Sequence, residues 1–411
     1  MVLVFTTFKP ICSVSNNHDQ TRINQKSLNK WTYIKIDSTR AKWGDWDQPE
    51  WLRYFGLDIK DVTGNGYKDI VAGRYFYRNP GRDMTNKWIR VDLDMNVDGL
   101  LFIEINNRNT GNIIATALPN VYWFSAIDKE GSSWESTLIG QVPVTSHVNG
   151  QGYHTAQIIP EGNEEILLAT GAGVYFFIIP EENPGGGNWP LIHAAPEASD
   201  EGFAIGDIDG DGLLDIVAGL RQDKEEGKGM EIKWWKNPGN NEGYWEYYHI
   251  GRTEYDADRI SVADLNGNGK IDIVVTEERY PGKEPDASMY WFEQPAHLVN
   301  NSWARHKVVT QYSMNNLDVA DIDGDESIDI ITAEHKGDKL ELQVWLNDGF
   351  GNFIKTVVDE GKESHLGARV SDLNGDGAMD IISIGWDQYK YLHIWRNDDT
   401  VKKTTRKKNN P

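Results

Sequence analysis

One pattern governs what this chain can fold into. A nine-residue loop with Asp at its first and ninth positions, and glycines between them, recurs between short apolar runs. It reads "DIDGDGLLD" at 207–215, "DLNGNGKID" at 264–272, "DIDGDESID" at 321–329, "DLNGDGAMD" at 372–380 and "DVTGNGYKD" at 61–69. An EF-hand needs a helix on each side and a bidentate Glu at position twelve. Counted from Asp207, position twelve is Ala218, and the flanks "GFAIG" and "LLDIVAG" are strand-like and too short for helices. Two degenerate copies, "LFIEINNRNTGNIIATAL" (101–118) and "AQIIPEGNEEILLATG" (156–171), complete a set of seven. From Asp61 to Asp372 six steps cover 311 residues, a period of about 52. Fixed periods of this size mean solenoids, propellers or arrays.

Within a period every segment reads as strand. "FAIGDI", "LDIVAGL", "MEIKWWKNPG" and "YWEYYHIGR" are short runs of β-branched and aromatic residues separated by Gly, Asn, Pro and Asp. Third strands end alike, in "YFYRNPG", "YWFEQP", "VWLNDG" and "IWRND", and Trp88, Trp134, Trp189, Trp245 and Trp303 open fourth strands. Four strands per unit and seven units predict an all-β chain folded as a single seven-bladed β-propeller. The last unit lacks a fourth strand, and an orphan strand of that type, "KWTYIKIDS" (30–38), precedes the first unit. The N-terminal strand is therefore expected to complete the last blade. Residues 30–398 form the propeller, 1–29 a leader or disordered segment, and 399–411 a basic disordered tail. "MVLVFTTFKPICS" resembles part of a signal peptide, although it lacks a basic n-region.

These units resemble FG-GAP (VCBS-type) repeats, the calcium-loop blades of integrin α-subunit heads and of many secreted bacterial proteins. The resemblance covers nearly the whole chain and implies the fold. It leaves function open, because such blades build adhesion heads, lectins, polysaccharide lyases and sugar dehydratases.

The resemblance and the loop chemistry imply structural Ca²⁺ at several sites. The candidate ligands are Asp61 and Asp69; Asp207, Asp209, Asp211 and Asp215; Asp264, Asn266, Asn268 and Asp272; Asp321, Asp323, Asp325 and Asp329; and Asp372, Asn374, Asp376 and Asp380. Clustered carboxylates repel unless a cation joins them. Acidic residues number 63 against 41 basic ones, a formal net charge of −22, which argues against nucleic acid as a partner. One cysteine excludes an internal disulfide framework, and no apolar run reaches the length of a membrane span. Calcium loops of the extracellular kind suit a secreted, periplasmic or cell-surface monomer.

Function is expected at the opposite face, around the central channel. Residues two and four before each first Asp are apolar and should pack between blades. Those three and five before it, such as Ser261 and Arg259, Asp318 and Asn316, or Arg369 and Gly367, should line the channel. The loops at the channel mouth differ from blade to blade, as a binding site requires and a scaffold does not. Candidates for catalysis are His147, His154, His335, His365 and Tyr153, with Arg259 and Arg369 for charge. Arg53, Trp46, Arg221, Arg279, Asn315, Asn316 and Trp386 are candidates for substrate contact. Glu334, His335 and His365 are the candidates to hold a second metal in the channel.

The leading expectation is a lyase or dehydratase acting by β-elimination on uronate-containing acidic oligosaccharides or polysaccharides, of which ulvan-type glycans are one example. Such chemistry needs a cation on the carboxylate, a base for the adjacent proton and an acid for the leaving oxygen. A glycoside hydrolase is the first rival, with Asp98, Asp200, Glu201, Asp258, Glu277 and Glu334 as candidate acids. A non-catalytic glycan-binding or adhesion propeller is the second.

Overall fold

The computed structural model describes residues 28, 30–41, 54–105, 111–145, 149–221, 229–298, 302–364 and 366–399. All of the leader but Leu28, all of the basic tail but Asp399, and Trp46, Arg53, His147 and His365 lie outside these residues.

Each repeat forms a four-stranded antiparallel sheet, and there are seven sheets. The first strands of blades 1 to 7 are Leu57–Lys60, Asp98–Phe102, Tyr153–Ala156, Ala198–Gly206, Asp256–Ala263, Asp318–Ala320 and Leu366–Ser371. They contact one another in sequence order and return from blade 7 to blade 1, so they form the innermost ring. Strand Trp31–Asp37 pairs antiparallel with Leu392–Asn397 and supplies the fourth strand of blade 7, as the sequence predicts. No helix among the described residues is long and apolar enough to cross a membrane.

There is no central core. Seven apolar clusters each fill the junction between two neighbouring blades. Side chains alternate across a strand, so each blade serves the junction on either side. Between blades 4 and 5, for example, Ile232 and Trp234 meet Ile273, Tyr290 and Trp303. Burying a side chain of this size contributes about 1.5–3 kcal/mol. The tryptophans also fasten the hairpins: indole Nε1 of Trp88, Trp134, Trp189 and Trp245 donates to the carbonyls of Met84, Gly131, Pro184 and Glu242.

A second device links blades at the Asp-loop rim. The ninth-position aspartates Asp69, Asp215, Asp272, Asp329 and Asp380 are at most 1 % exposed. Asp329 accepts the Ile322 and Asn347 backbone N–H groups at 3.0 and 2.8 Å. Asn347 ends its third strand, and its side-chain amide crosses to blade 5 to reach the Leu265 carbonyl at 2.8 Å. The same amide tether joins Asn237 to Ile158, Gln294 to Ile208 and Asn397 to Ile322. Asn79 reaches Leu373 at 3.1 Å and closes the ring between blades 1 and 7.

Candidate functional site

The channel wall is built by the first strands. Three residues before the first loop position stand Asp58, His154, Ser261, Asp318 and Arg369. Three of these pin the next blade: the Asp58 carboxylate accepts Phe102 N–H at 2.7 Å, His154 Nε2 donates to the Phe203 carbonyl at 2.8 Å, and Asp318 accepts Val370 N–H at 2.8 Å. Five residues before it stand Gly56, Gly152 and Gly202 in blades 1, 3 and 4, and Arg259 and Asn316, which line the channel cavity, in blades 5 and 6. The resulting cavity measures about 100 Å³. That volume holds a few water molecules and falls below the 300–1,000 Å³ of ordinary ligand pockets. A ligand of ordinary size would therefore meet this protein at the mouth rather than in the bore.

Arg369 lies deep in the channel with its guanidinium 5.5 Å from the Tyr153 ring centre. Burial opposes its charge, but Tyr153, Asp318 and Asp58 outweigh burial and hold it protonated. Burial pushes the carboxyls of Asp58 and Asp318 upward, and Arg369 works against that rise. Tyr153 is 3 % exposed, and its hydroxyl is engaged by blade 1: it donates to the Phe55 carbonyl and accepts Leu57 N–H, both at 2.9 Å. His154 is held neutral, its pKa lowered to about 4 by burial and by Arg369. Both residues brace the inner ring here, whereas the sequence marked them for proton transfer.

The mouth over blades 3 to 6 is different in kind. Arg259 Nη2 donates to Gln151 Oε1 at 2.9 Å and Nη1 to the Glu201 carbonyl at 2.9 Å, bridging three blades. Asp258, the extra residue where pairing slips between Ala257 and Arg259, is 2 % exposed. Bulges of this sort re-aim a side chain. Neither Asp258 oxygen has a hydrogen bond, and Arg259 Nη1 stands 3.2 Å from Oδ1. Burial raises its pKa well above the carboxylate range, Arg259 opposes the rise, and Glu278, Glu201 and Asp256 add to it. Its surroundings thus favour the protonated form of Asp258.

Glu278 goes the other way. Burial opposes ionisation, yet hydrogen bonding and charge from His335, with Asn315 and Arg259, bring it to about 2. His335 Nδ1 lies 2.9 Å from Asn315 Oδ1 and 3.3 Å from Glu278 Oε1. Both partners are acceptors, so Nδ1 carries a proton and Nε2 is the atom left to face the mouth chemistry. Asn316 donates its amide to the Ser364 carbonyl, while its Oδ1 is buried without a partner. A buried carboxyl pushed up and a part-exposed one pushed down, beside an oriented imidazole, can divide acid and base roles.

Other expected contacts lie around this mouth. Arg221 pairs with Asp200 and donates to the Gly171 carbonyl. Arg279 pairs with Asp286, lies 5.1 Å from the Tyr255 ring centre and is 42 % exposed. Trp386 is half-buried and stacks on Phe55 at 5.2 Å, in the seam between blades 7 and 1. Glu278 is absent from the sequence expectation, which selected its neighbour Glu277. The Glu277 carboxylate is taken up by Tyr255 and Ser288 N–H at 2.8 Å, inside the blade. Nothing in "TEERY" tells which glutamate faces the mouth.

The Asp loops occupy the other rim. In each, the first aspartate folds the loop around itself: Asp264 accepts Asn268 and Gly269 N–H at 3.1 and 2.7 Å, and Asp372 accepts Gly375 and Gly377 N–H at 2.8 and 2.9 Å. Ligand oxygens of Asp207, Asp209 and Asp215, and of Asp321, Asp323 and Asp325, lie within 4.8 Å of one another. Asp207 Oδ1, Asp209 Oδ1 and Asp325 Oδ2 are buried without a hydrogen bond. A set of hard oxygen donors with such orphans fits a calcium-like cation. Among the described residues no comparable convergence of His, Cys, Asp or Glu occurs in the channel. Glu334, expected beside a second metal, instead accepts Glu341 N–H at 3.2 Å.

Comparison with known proteins agrees with this architecture. Residues 207–275 and 321–383 match the FG-GAP-like repeat. Among curated proteins, none matches the chain. Two crystal structures of BBS1N in complex with ARL6DN are similar over 90 % of this chain and 98 % of theirs, both with a TM-score of 0.53. One crystal was soaked with lead and the other with mercury, at identities of 12 % and 13 %, a likeness of fold alone. The chain is a seven-bladed β-propeller in which residues 207–275 and 321–383 match FG-GAP-like repeats.

Proposed function

We propose that the protein is a secreted carbohydrate-active enzyme that works at the channel mouth over blades 4 to 6 on uronate-containing oligosaccharides. The observation that carries this reading is the Glu278–His335 pair beside Asp258, a buried carboxyl whose pKa burial pushes up. In the proposed β-elimination His335 Nε2 takes the proton from the carbon next to the uronate carboxylate. The electron pair forms the new carbon–carbon double bond, the carbon–oxygen bond at the next carbon breaks, and Asp258 protonates the leaving oxygen. Arg259 supplies positive charge from within, and Arg279 and Arg221 supply it at the rim. Glu278 holds the imidazole in its tautomer and stabilises it once protonated, as the third member of a triad does. Calcium in the Asp loops is part of this proposal as a structural ion. It would be held by Asp207, Asp209 and Asp215 in blade 4 and by Asp321, Asp323 and Asp325 in blade 6, and its chemistry there is to join carboxylates.

Mass spectrometry of acidic oligosaccharides incubated with the protein tests the reading. Fragments that sum to the parent mass, one of them unsaturated, mean a lyase, and loss of one water from an intact chain means a dehydratase. Fragments that sum to the parent plus water mean a glycoside hydrolase using the same two carboxyls. No change across a broad glycan panel sinks the enzyme reading and leaves a binding propeller.

A further inference from the structure

The third strands end on the same tether amide, but the residue just before it varies: Arg78, Lys236, Glu293, Leu346 and Arg396. In two blades that residue reaches the Asp loop of its own blade. Lys236 Nζ pairs with Asp209 and, at 2.6 Å, with Asp211. Glu293 Oε1 accepts the Asn266 amide at 3.2 Å, and its Oε2 lies 3.0 Å from His306 Nε2. Arg78 turns away to Glu130, and Arg396 to Asp83 and Asp398.

The two contacts act in opposite directions on loops of unequal charge. The ligand positions of blade 4 are four aspartates, and those of blade 5 are two aspartates and two asparagines. Lys236 therefore takes the first from −4 to −3, and Glu293 takes the second from −2 to −3. Loop charge is a main control of calcium affinity. Lys236 contacts Oδ2 of Asp209 and Asp211, while Oδ1 of Asp207 and Asp209 has no hydrogen bond. A divalent ion entering on the Oδ1 side meets the ammonium as a like charge at close range. The ammonium can yield, since Lys236 borders an open cleft of about 940 Å³ lined by Trp234, Tyr248 and His297.

We propose that the residue before the tether amide sets the divalent-cation affinity of its own blade's loop. Lys236 is a built-in cation that weakens calcium binding in blade 4 and keeps that loop folded without it. Glu293 is an added carboxylate that strengthens binding in blade 5. The proposal rests on the calcium reading given above.

Calcium titration calorimetry on the chelator-stripped full chain tests it, with Lys236→Met and Glu293→Gln as variants. Lys236→Met should tighten one site at least tenfold, and Glu293→Gln should weaken one site by a similar factor. Thermal unfolding gives a second reading that does not depend on assigning sites. In EGTA Lys236→Met should melt below wild type, and calcium should raise its melting temperature more than that of wild type. A wild type that binds calcium, with either variant's isotherm unchanged or moved the other way, overturns the proposal. A wild type that takes up no calcium removes the calcium reading itself. Should Lys236→Met fail to fold in EGTA, Glu293→Gln, which keeps its loop's size and shape, still decides the matter in calcium.

Discussion

Asn347 donates its side-chain amide to the carbonyl of Leu265, 82 residues earlier and one blade away, at 2.8 Å. The same amide reaches Ile328 at 2.9 Å inside its own blade. Replacing Asn347 by Ala strands the buried Leu265 carbonyl and the part-buried Ile328 carbonyl, which costs about 1–3 kcal/mol. Urea unfolding should show that loss, and a variant as stable as wild type would mean the tether is incidental.

Glu326 holds a φ of 77° at the loop position where blades 1, 4, 5 and 7 have glycine. The left-handed region costs a non-glycine residue roughly 1–2 kcal/mol. Glu326→Gly should therefore raise the urea midpoint by the equivalent of about 1 kcal/mol, less the entropy glycine adds to the unfolded chain. A lowered midpoint would show that Glu326 makes a compensating interaction.

Gly56 packs against the neighbouring blade so closely that a Cβ would stand 2.1 Å from the Gly99 carbonyl oxygen and 2.6 Å from Asp98 Oδ1. Backbone cannot step aside as a side-chain tip can. Gly56→Ala should cost about 3 kcal/mol or leave the protein unfolded. A soluble, wild-type-like melt of this variant would contradict the packing of blades 1 and 2.

Two histidines with lowered pKa values predict acid sensitivity. His154 donates to a carbonyl, His393 Nδ1 lies 2.9 Å from the Tyr33 hydroxyl, and burial first and nearby cations second lower both to about 4 from an ordinary 6.5. The folded protein keeps them neutral while the unfolded chain takes up protons. Their stabilisation is thus complete above pH 6.5 and is lost as pH falls through 4, by up to about 3 kcal/mol each. Asp98, raised to about 7 by burial, runs the other way: its contribution is full in acid and lost as pH rises through 7. A His154→Gln, His393→Gln double variant retains Asp98, so the difference from wild type isolates the histidines. Melting temperatures measured from pH 7 to 4.5 should fall less steeply in the double variant. Parallel curves would refute the assignment.

On the proposed mechanism Glu278→Gln removes the carboxylate that orients His335 and leaves the fold in place. Turnover should drop about a hundredfold with little change in KM. Rates within twofold of wild type would exclude the pair from the chemistry.

The blade count was legible because Asp at loop position nine anchors two backbone N–H groups, so the spacing cannot drift. Blades 2 and 3 were faint for a physical reason. Glu165 replaces the anchor and still accepts Ile158 and Ile159 N–H at 2.8 and 3.1 Å, while Asn112 accepts the Trp123 indole instead. Strand alternation correctly placed Arg259, Asn316, Asp318 and Arg369 along the channel. The tether amides were visible as recurring "NPG", "EQP" and "ND" ends, but their partners lie a whole blade away and no local pattern names them. Tyr153 stands on the apolar face of the first strand with its hydroxyl engaged by blade 1, a placement that its irregular loop does not announce. Asp258 and Glu278 separate only through burial and neighbours from three blades, which no one-dimensional pattern carries.

The amide tethers also bear on the aperture itself. An open array of repeats can shed its outermost unit, but here the first and last units in sequence clasp each other through Asn79 and Leu373. Detaching one blade means parting two neighbours at once. The bore can widen only if the whole circle gives, so its calibre is a collective dimension. A bulky substitution in one seam would be felt as altered spacing on the far side of the hole.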